Sequence, residues 1–120
     1  MLTEDDLIHF ALSMPGACVR YPYGDAPLVL STADVHEFGE LYEGTVPIHI
    51  VLKSTAEESE RLRAQYPDHI KPGYRCPKRT WNSLYIDGTV PDETVLQMIR
   101  FSYELTAKTK KKRPNVTEEF

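Results

Sequence analysis

The chain is poor in cysteine, in long apolar runs and in clustered glycine, and each shortage removes a class of protein. Its two cysteines, Cys18 and Cys76, lie far apart with no ligand-type neighbour at metal spacing, so neither a disulfide framework nor a zinc site is expected. Both read as small, partly buried hydrophobes, although Arg75, Lys78 and Arg79 surround Cys76 with charge that lowers a thiol pKa. Apolar runs such as Ile50-Val51-Leu52 are only a few residues long, and no membrane span is expected. The opening Thr3-Glu4-Asp5-Asp6 is acidic where a secretory leader is basic and then apolar, which points to the cytoplasm.

Catalytic signatures are missing as well. Pro15-Gly16 and Tyr23-Gly24 are lone turn glycines, which fit neither a phosphate-binding loop nor a dinucleotide fingerprint. His9, His36, His49 and His69 never stand at i, i+4, so no metal cage can be drawn. Asp5-Asp6, Glu57-Glu58 and Asp92-Glu93 all open helices, where the helix dipole accounts for them. No serine sits in a strand-turn-helix elbow. The expectation is a protein that is not an enzyme, with no catalytic residue, cofactor or metal.

What is present describes one domain. At 120 residues, 41% hydrophobic and 27% charged, the chain suffices for one core. A helix is expected over 4–14, with Leu7, Phe10, Ala11 and Met14 on one face, and a loop over 19–24. Leu28-Val29-Leu30 reads as a strand. Residues 35–42 alternate imperfectly around Gly39, Glu37 and Glu40, as an edge strand with a bulge does. Ile48 to Lys53 is the clearest strand, followed by a short surface helix after the Ser54-Thr55 cap, a shaped loop over 70–79 and a strand over 81–86 closed by the Asp87-Gly88 turn. Pro91-Asp92-Glu93 opens the best helix, striped by Val95, Met98, Ile99, Ser102 and Leu105. The order implies a two-layer α+β domain over 1–107, an antiparallel sheet with helices on one face, and a basic then polar tail over 108–120 without fixed structure.

Charge is divided along the chain. Residues 1–68 carry twelve acids and four bases, a balance of −8, while residues 69–120 carry six acids and ten bases, a balance of +4. An acidic total argues against indiscriminate coating of nucleic acid, yet a local basic face still binds phosphate. The segment Lys71-Pro72-Gly73-Tyr74-Arg75-Cys76-Pro77-Lys78-Arg79-Thr80-Trp81-Asn82 holds four cations and no acid, interleaved with aromatics that stack on bases. Trp81, which begins a strand, also has the position of a core residue. The candidate nucleic-acid contacts are Lys71, Tyr74, Arg75, Lys78, Arg79 and Asn82, with Lys110, Lys111, Lys112 and Arg113 in the terminal basic run.

The same segment, continued by Leu84-Tyr85-Ile86-Asp87-Gly88 and Val90-Pro91-Asp92 and preceded by Pro22-Tyr23-Gly24 and Tyr66-Pro67, resembles the signature of the MmcQ/YjbR family. The resemblance implies a small bacterial protein with a fold like that of CyaY and of secretion chaperones, commonly labelled DNA-binding through a double-wing arrangement, with no enzymatic activity or cofactor. It also places Tyr74, Lys78, Arg79, Trp81 and Asn82 at the family's surface loop and following strand. Two features depart from it. Thr80 stands where the signature carries a histidine, and residues 34–45 are acidic where the family has an apolar hairpin, which would repel DNA if it were a wing. Two readings follow: a module that binds DNA through the basic loop, and a protein-interaction or chaperone-like module that meets its partner through Tyr21, Tyr23, Tyr42 and Tyr85. An enzyme ranks third, since it needs a pocket of convergent polar groups.

Overall fold

The computed structural model describes residues 1–73 and 76–118, with side chains through residue 107. The elements run α1 (Glu4–Leu12), β1 (Cys18–Arg20), β2 (Leu28–Ser31), β3 (Glu37–Tyr42), β4 (Ile48–Lys53), α2 (Ala56–Gln65), β5 (Ile70–Pro72), β6 (Trp81–Ile86) and α3 (Asp92–Glu118). α3 continues through Glu118 over most of the stretch expected as a tail without fixed structure, while the side chains of its basic run and polar end lie outside the described residues. No described helix is long and apolar enough to cross a membrane.

Capping sets the starts of the first two helices. The Thr3 hydroxyl accepts from the Asp6 N–H while the Asp6 carboxylate accepts from the Thr3 N–H, a reciprocal box, and the Thr55 hydroxyl accepts from the Glu58 N–H at 3.1 Å. α1 ends two residues before the expected Met14, although Met14 is buried against the core.

The six strands form one antiparallel sheet in the order β1-β2-β3-β4-β6-β5. Leu28, Leu41, Ile50, Leu84 and Ile70 stand in one register row across five strands. Leu7 and Ala11 of α1, Leu62 of α2, and Val95, Met98 and Ile99 of α3 join that row in a single buried cluster, so all three helices cover one face. Burying each such aliphatic side chain is worth about 1.5–3 kcal/mol, and this cluster is the main source of stability.

Three local expectations are corrected. Cys18–Arg20, overlapping the start of what reads as a loop over 19–24, is an edge strand, and Ile70–Pro72, inside the shaped loop, is the opposite edge. Three-residue strands carry too little periodicity to be told from a turn. β3 lies between β2 and β4 and is not an edge. Its irregular alternation has two separate causes. Glu37 pairs with Ser31 and Gly39 with Leu30, so Phe38 is an extra, bulged residue. Gly39 then fills a core-side position where a Cβ would come within 3.0 Å of Leu30 Cδ1 and 3.2 Å of Leu52 Cδ2.

The end of the β3–β4 pairing explains a polar residue in the α3 stripe. The pairing stops at Gly39 and Leu52, and one residue beyond it the buried Ser102 hydroxyl donates to the Phe38 carbonyl and accepts from the Lys53 N–H at 2.9 Å. One serine thus ties β3 and the end of β4 to the covering helix.

Gly73 is required by close approach. A Cβ there would sit 2.9 Å from three Trp81 atoms, two of them backbone, and the Gly73 N–H donates to the Trp81 carbonyl at 2.7 Å. Gly73→Ala is expected to cost about 1–3 kcal/mol by overpacking. Equilibrium urea unfolding checks this, and an unchanged midpoint would show that the two segments do not meet so closely.

Candidate functional site

The basic segment forms the connection between β5 and β6, and α2 holds it from behind. Arg63 donates from Nε to Asn82 Oδ1 at 2.7 Å, and from one terminal nitrogen to the Trp81 carbonyl at 3.1 Å and to the Lys78 carbonyl. Asn82 in turn donates to the Ser59 hydroxyl at 2.9 Å. The Trp81 N–H donates to the Pro77 carbonyl at 3.0 Å, and the Ser54 N–H donates to the Thr80 carbonyl at 2.7 Å. Burial lowers the Arg63 pKa from the ordinary guanidinium value, while its intrinsic basicity keeps it charged.

This geometry divides the candidate contacts. Lys71, Lys78 and Arg79 are exposed, and among the described residues none of them is ion-paired to a carboxylate. Asn82 is removed from the candidate surface. It is fully buried, with its amide oxygen accepting from Arg63 and its amide nitrogen donating to Ser59, because β6 alternation turns it toward the helices. Trp81 is half-buried and shares the opposite face with Ser83 and Tyr85. Tyr74 and Arg75 lie outside the described residues, as do the side chains of Lys110, Lys111, Lys112 and Arg113. Arg63 is the residue that sequence reasoning missed. Its only signal is that it follows Ser59 by one helical turn, on the face that meets β6.

The face away from the helices has a different character. Tyr42, His49 and Tyr85 stack across three adjacent strands, with ring centroids 4.8 and 4.5 Å apart. His49 Nε2 lies 3.0 Å from the Ser83 hydroxyl, one donating and the other accepting according to the tautomer. Burial lowers the His49 pKa below the ordinary imidazole value, which keeps the stacked ring neutral at pH 7. Beside the stack, Tyr23, Ala26, Pro27, Glu40 and Tyr42 line an open cleft of about 360 Å³. Tyr23 donates to Glu37 and Tyr21 donates to Glu43, and these bonds to carboxylates raise both phenol pKa values. The four tyrosines of the alternative partner surface are therefore split: Tyr42 and Tyr85 flank one histidine, while Tyr21 and Tyr23 bind separate acids.

A titratable pair closes the far end of the sheet. Asp87 accepts from His69 Nε2 at 2.9 Å and from the Thr89 N–H at 3.0 Å, and these bonds hold its pKa down at about 2. The folded-state pKa is thus below the ordinary carboxyl value of 3.8, so the stabilisation is fully present above that value and is lost as pH falls through about 2. Carboxyl NMR titration should place the Asp87 midpoint near 2, and His69→Ala should move it toward 3.8. A midpoint indifferent to that substitution would show that the imidazole is not the cause. Among the described residues, no group of three or more His, Cys, Asp or Glu is placed to hold a metal ion.

The YjbR family model matches residues 12–105. The uncharacterized protein YjbR of Escherichia coli K12 is 26% identical over 103 residues, 86% of each chain, and the uncharacterized protein YyaQ of Bacillus subtilis is 29% identical over 119, spanning 88% of this chain and 99% of that one. A Deinococcus radiodurans crystal structure with a DUF419 domain superimposes with a TM-score of 0.85 at 32% identity, over 90% of this chain and 80% of its own. A Pseudomonas syringae structure, at 20% identity and a TM-score of 0.71, shares the fold over 88% of this chain and 99% of its own. The matched span runs from the end of α1 into α3 and includes the whole sheet and the Arg63-anchored loop, so the chain belongs to the YjbR family.

Proposed function

We propose that this protein is a binding module that contacts the nucleic-acid backbone with the β5–β6 connection. The observation that carries this reading is the set of Lys71, Lys78 and Arg79, exposed and without carboxylate partners among the described residues, on a segment whose position is held by Arg63 instead. Cations carried on a backbone held at Lys78 and Trp81 suit phosphate, because that stretch of main chain need not be ordered again on contact. The acidic residues Glu37, Glu40 and Glu43 on and just after β3 oppose a second DNA contact there. The proposed mode is therefore one basic edge rather than two wings, with the acidic side steering the orientation.

Fluorescence anisotropy with labelled duplex and single-stranded DNA tests the proposal. Three phosphate contacts predict a log–log salt slope of about −2.7, so raising salt from about 50 to 200 mM should weaken binding about 40-fold. The Lys78→Ala, Arg79→Ala double variant should keep its fold and lower the slope by about 2. Parental affinity in that variant would remove the loop as the contact surface. Absence of binding at low salt would overturn the nucleic-acid reading and turn attention to a protein partner on the Tyr42–His49–Tyr85 face.

A further inference from the structure

A second feature, on the helical layer and independent of the basic loop, lies between α2 and α3. α2 packs against β5, and α3 packs over β3 and β4, and the helices leave a cleft of about 350 Å³ between them. Its walls are two helical stripes. Glu58, Arg61 and Leu62 come from α2, and Thr94, Gln97, Met98 and Phe101 come from α3, with Lys53 and Ser54 at the end of β4. The stripes follow i, i+3, i+4 and i, i+3, i+4, i+7 spacing, so each helix presents one continuous side to the cleft.

Ser54 is the unexplained group. The residue is 5% exposed, and its hydroxyl has no hydrogen-bond partner, the one buried side-chain oxygen or nitrogen left so among the described residues. An orphaned buried hydroxyl is destabilising, and turning it about χ1 toward an occupant of the cleft supplies the partner it lacks. The chemistry around it is divided. Leu62, Met98 and Phe101 are apolar, whereas the lining residues Lys53, Arg61 and Glu58 leave a balance of one positive charge. Ser54 also immediately precedes Thr55, the N-cap of α2, where the helix dipole favours an anion. Arg61 is already paired with Glu58, which holds the guanidinium in place at the rim.

We propose that this cleft binds a small amphipathic carboxylate, with its head accepting from the Ser54 hydroxyl and its hydrocarbon body lying on Leu62, Met98 and Phe101. The volume falls at the lower end of small-molecule sites, which limits the ligand to a medium-length chain or a single aryl ring.

Sodium octanoate and 3-phenylpropionate are suitable probes, read by methyl NMR at Leu62 and Met98. At least one should shift those methyls saturably. Ser54→Ala should weaken the binding about tenfold while leaving the melting temperature equal or higher, because the variant removes an unsatisfied hydroxyl. Octan-1-ol, which offers the same chain without charge, should bind more weakly than octanoate. Arg61→Gln serves as a second variant and should also weaken carboxylate binding without changing the binding of octan-1-ol. The proposal is overturned if neither carboxylate shifts these methyls, if Ser54→Ala binds as the parent does, or if octan-1-ol equals octanoate. None of these results bears on the DNA titration, so the two proposals stand or fall separately.

Discussion

Replacing Phe38 with alanine is expected to destabilise the domain by about 3–5 kcal/mol, the upper end of what one core substitution costs. The phenyl ring is fully buried and meets Tyr103 edge to face, with ring centroids 5.4 Å apart and planes at 85°. Truncation loses the transfer free energy of the ring and leaves a cavity, and it also removes the aromatic contact, which adds about 0.5–1.5 kcal/mol in comparable pairs. The site has little freedom to collapse. Phe38 occupies the bulge, and its carbonyl is tethered to Ser102 on α3. Equilibrium denaturation by urea, followed by circular dichroism, measures the loss. Phe38→Leu should recover most of it, because a branched aliphatic fills much of the same volume. A loss below about 1 kcal/mol for Phe38→Ala would mean that the ring is not packed under α3.

Asn82→Ala should cost about 2–4 kcal/mol, and the loss should appear as stability rather than as affinity for any surface ligand. The substitution removes the acceptor of the Arg63 Nε–H and the donor to Ser59, whose hydroxyl is wholly buried. Arg63 keeps its bonds to the Lys78 and Trp81 carbonyls, so the loop should be loosened rather than released. Asn82→Asp separates the two contributions. It restores a charged acceptor for Arg63 but has no N–H for Ser59, and it should cost less than Asn82→Ala. If Asn82→Ala left the unfolding midpoint unchanged and altered only nucleic-acid affinity, the buried placement of Asn82 would be wrong. Thermal and urea unfolding, run beside the anisotropy titration, distinguish the two outcomes.

Legibility followed the length and periodicity of each element. Ile48–Lys53 and Trp81–Ile86 carry enough β-branched and apolar residues to declare themselves, and the α3 stripe from Val95 to Ser102 repeats at helical spacing. Cys18–Arg20 and Ile70–Pro72 do not, since three residues hold no period and their edge positions depend on pairing with strands that follow later in the chain. Gly39, Glu37 and Glu40 correctly signal a bulge but suggest an edge that is not there, because a bulge disturbs alternation in the same way wherever its strand lies. The candidate site is legible as composition: the concentration of cations at 71–79 stands out against an acidic chain. Which of those residues face water is not. Asn82 and Lys78 lie four positions apart, yet one is sealed beneath α2 and the other is exposed.

The order of amino acids alone was enough to establish one α+β core, its helix starts, its charge division and its family resemblance, because each rests on local propensity or on composition. The three-dimensional fold settled what depends on partners distant in the chain. It buried Asn82 against Arg63, bound Ser102 to the Phe38 bulge, stacked His49 between Tyr42 and Tyr85, and left the Ser54 hydroxyl alone beside the cleft. None of these pairings follows from spacing, since each joins residues that only the closed sheet and its covering helices bring together.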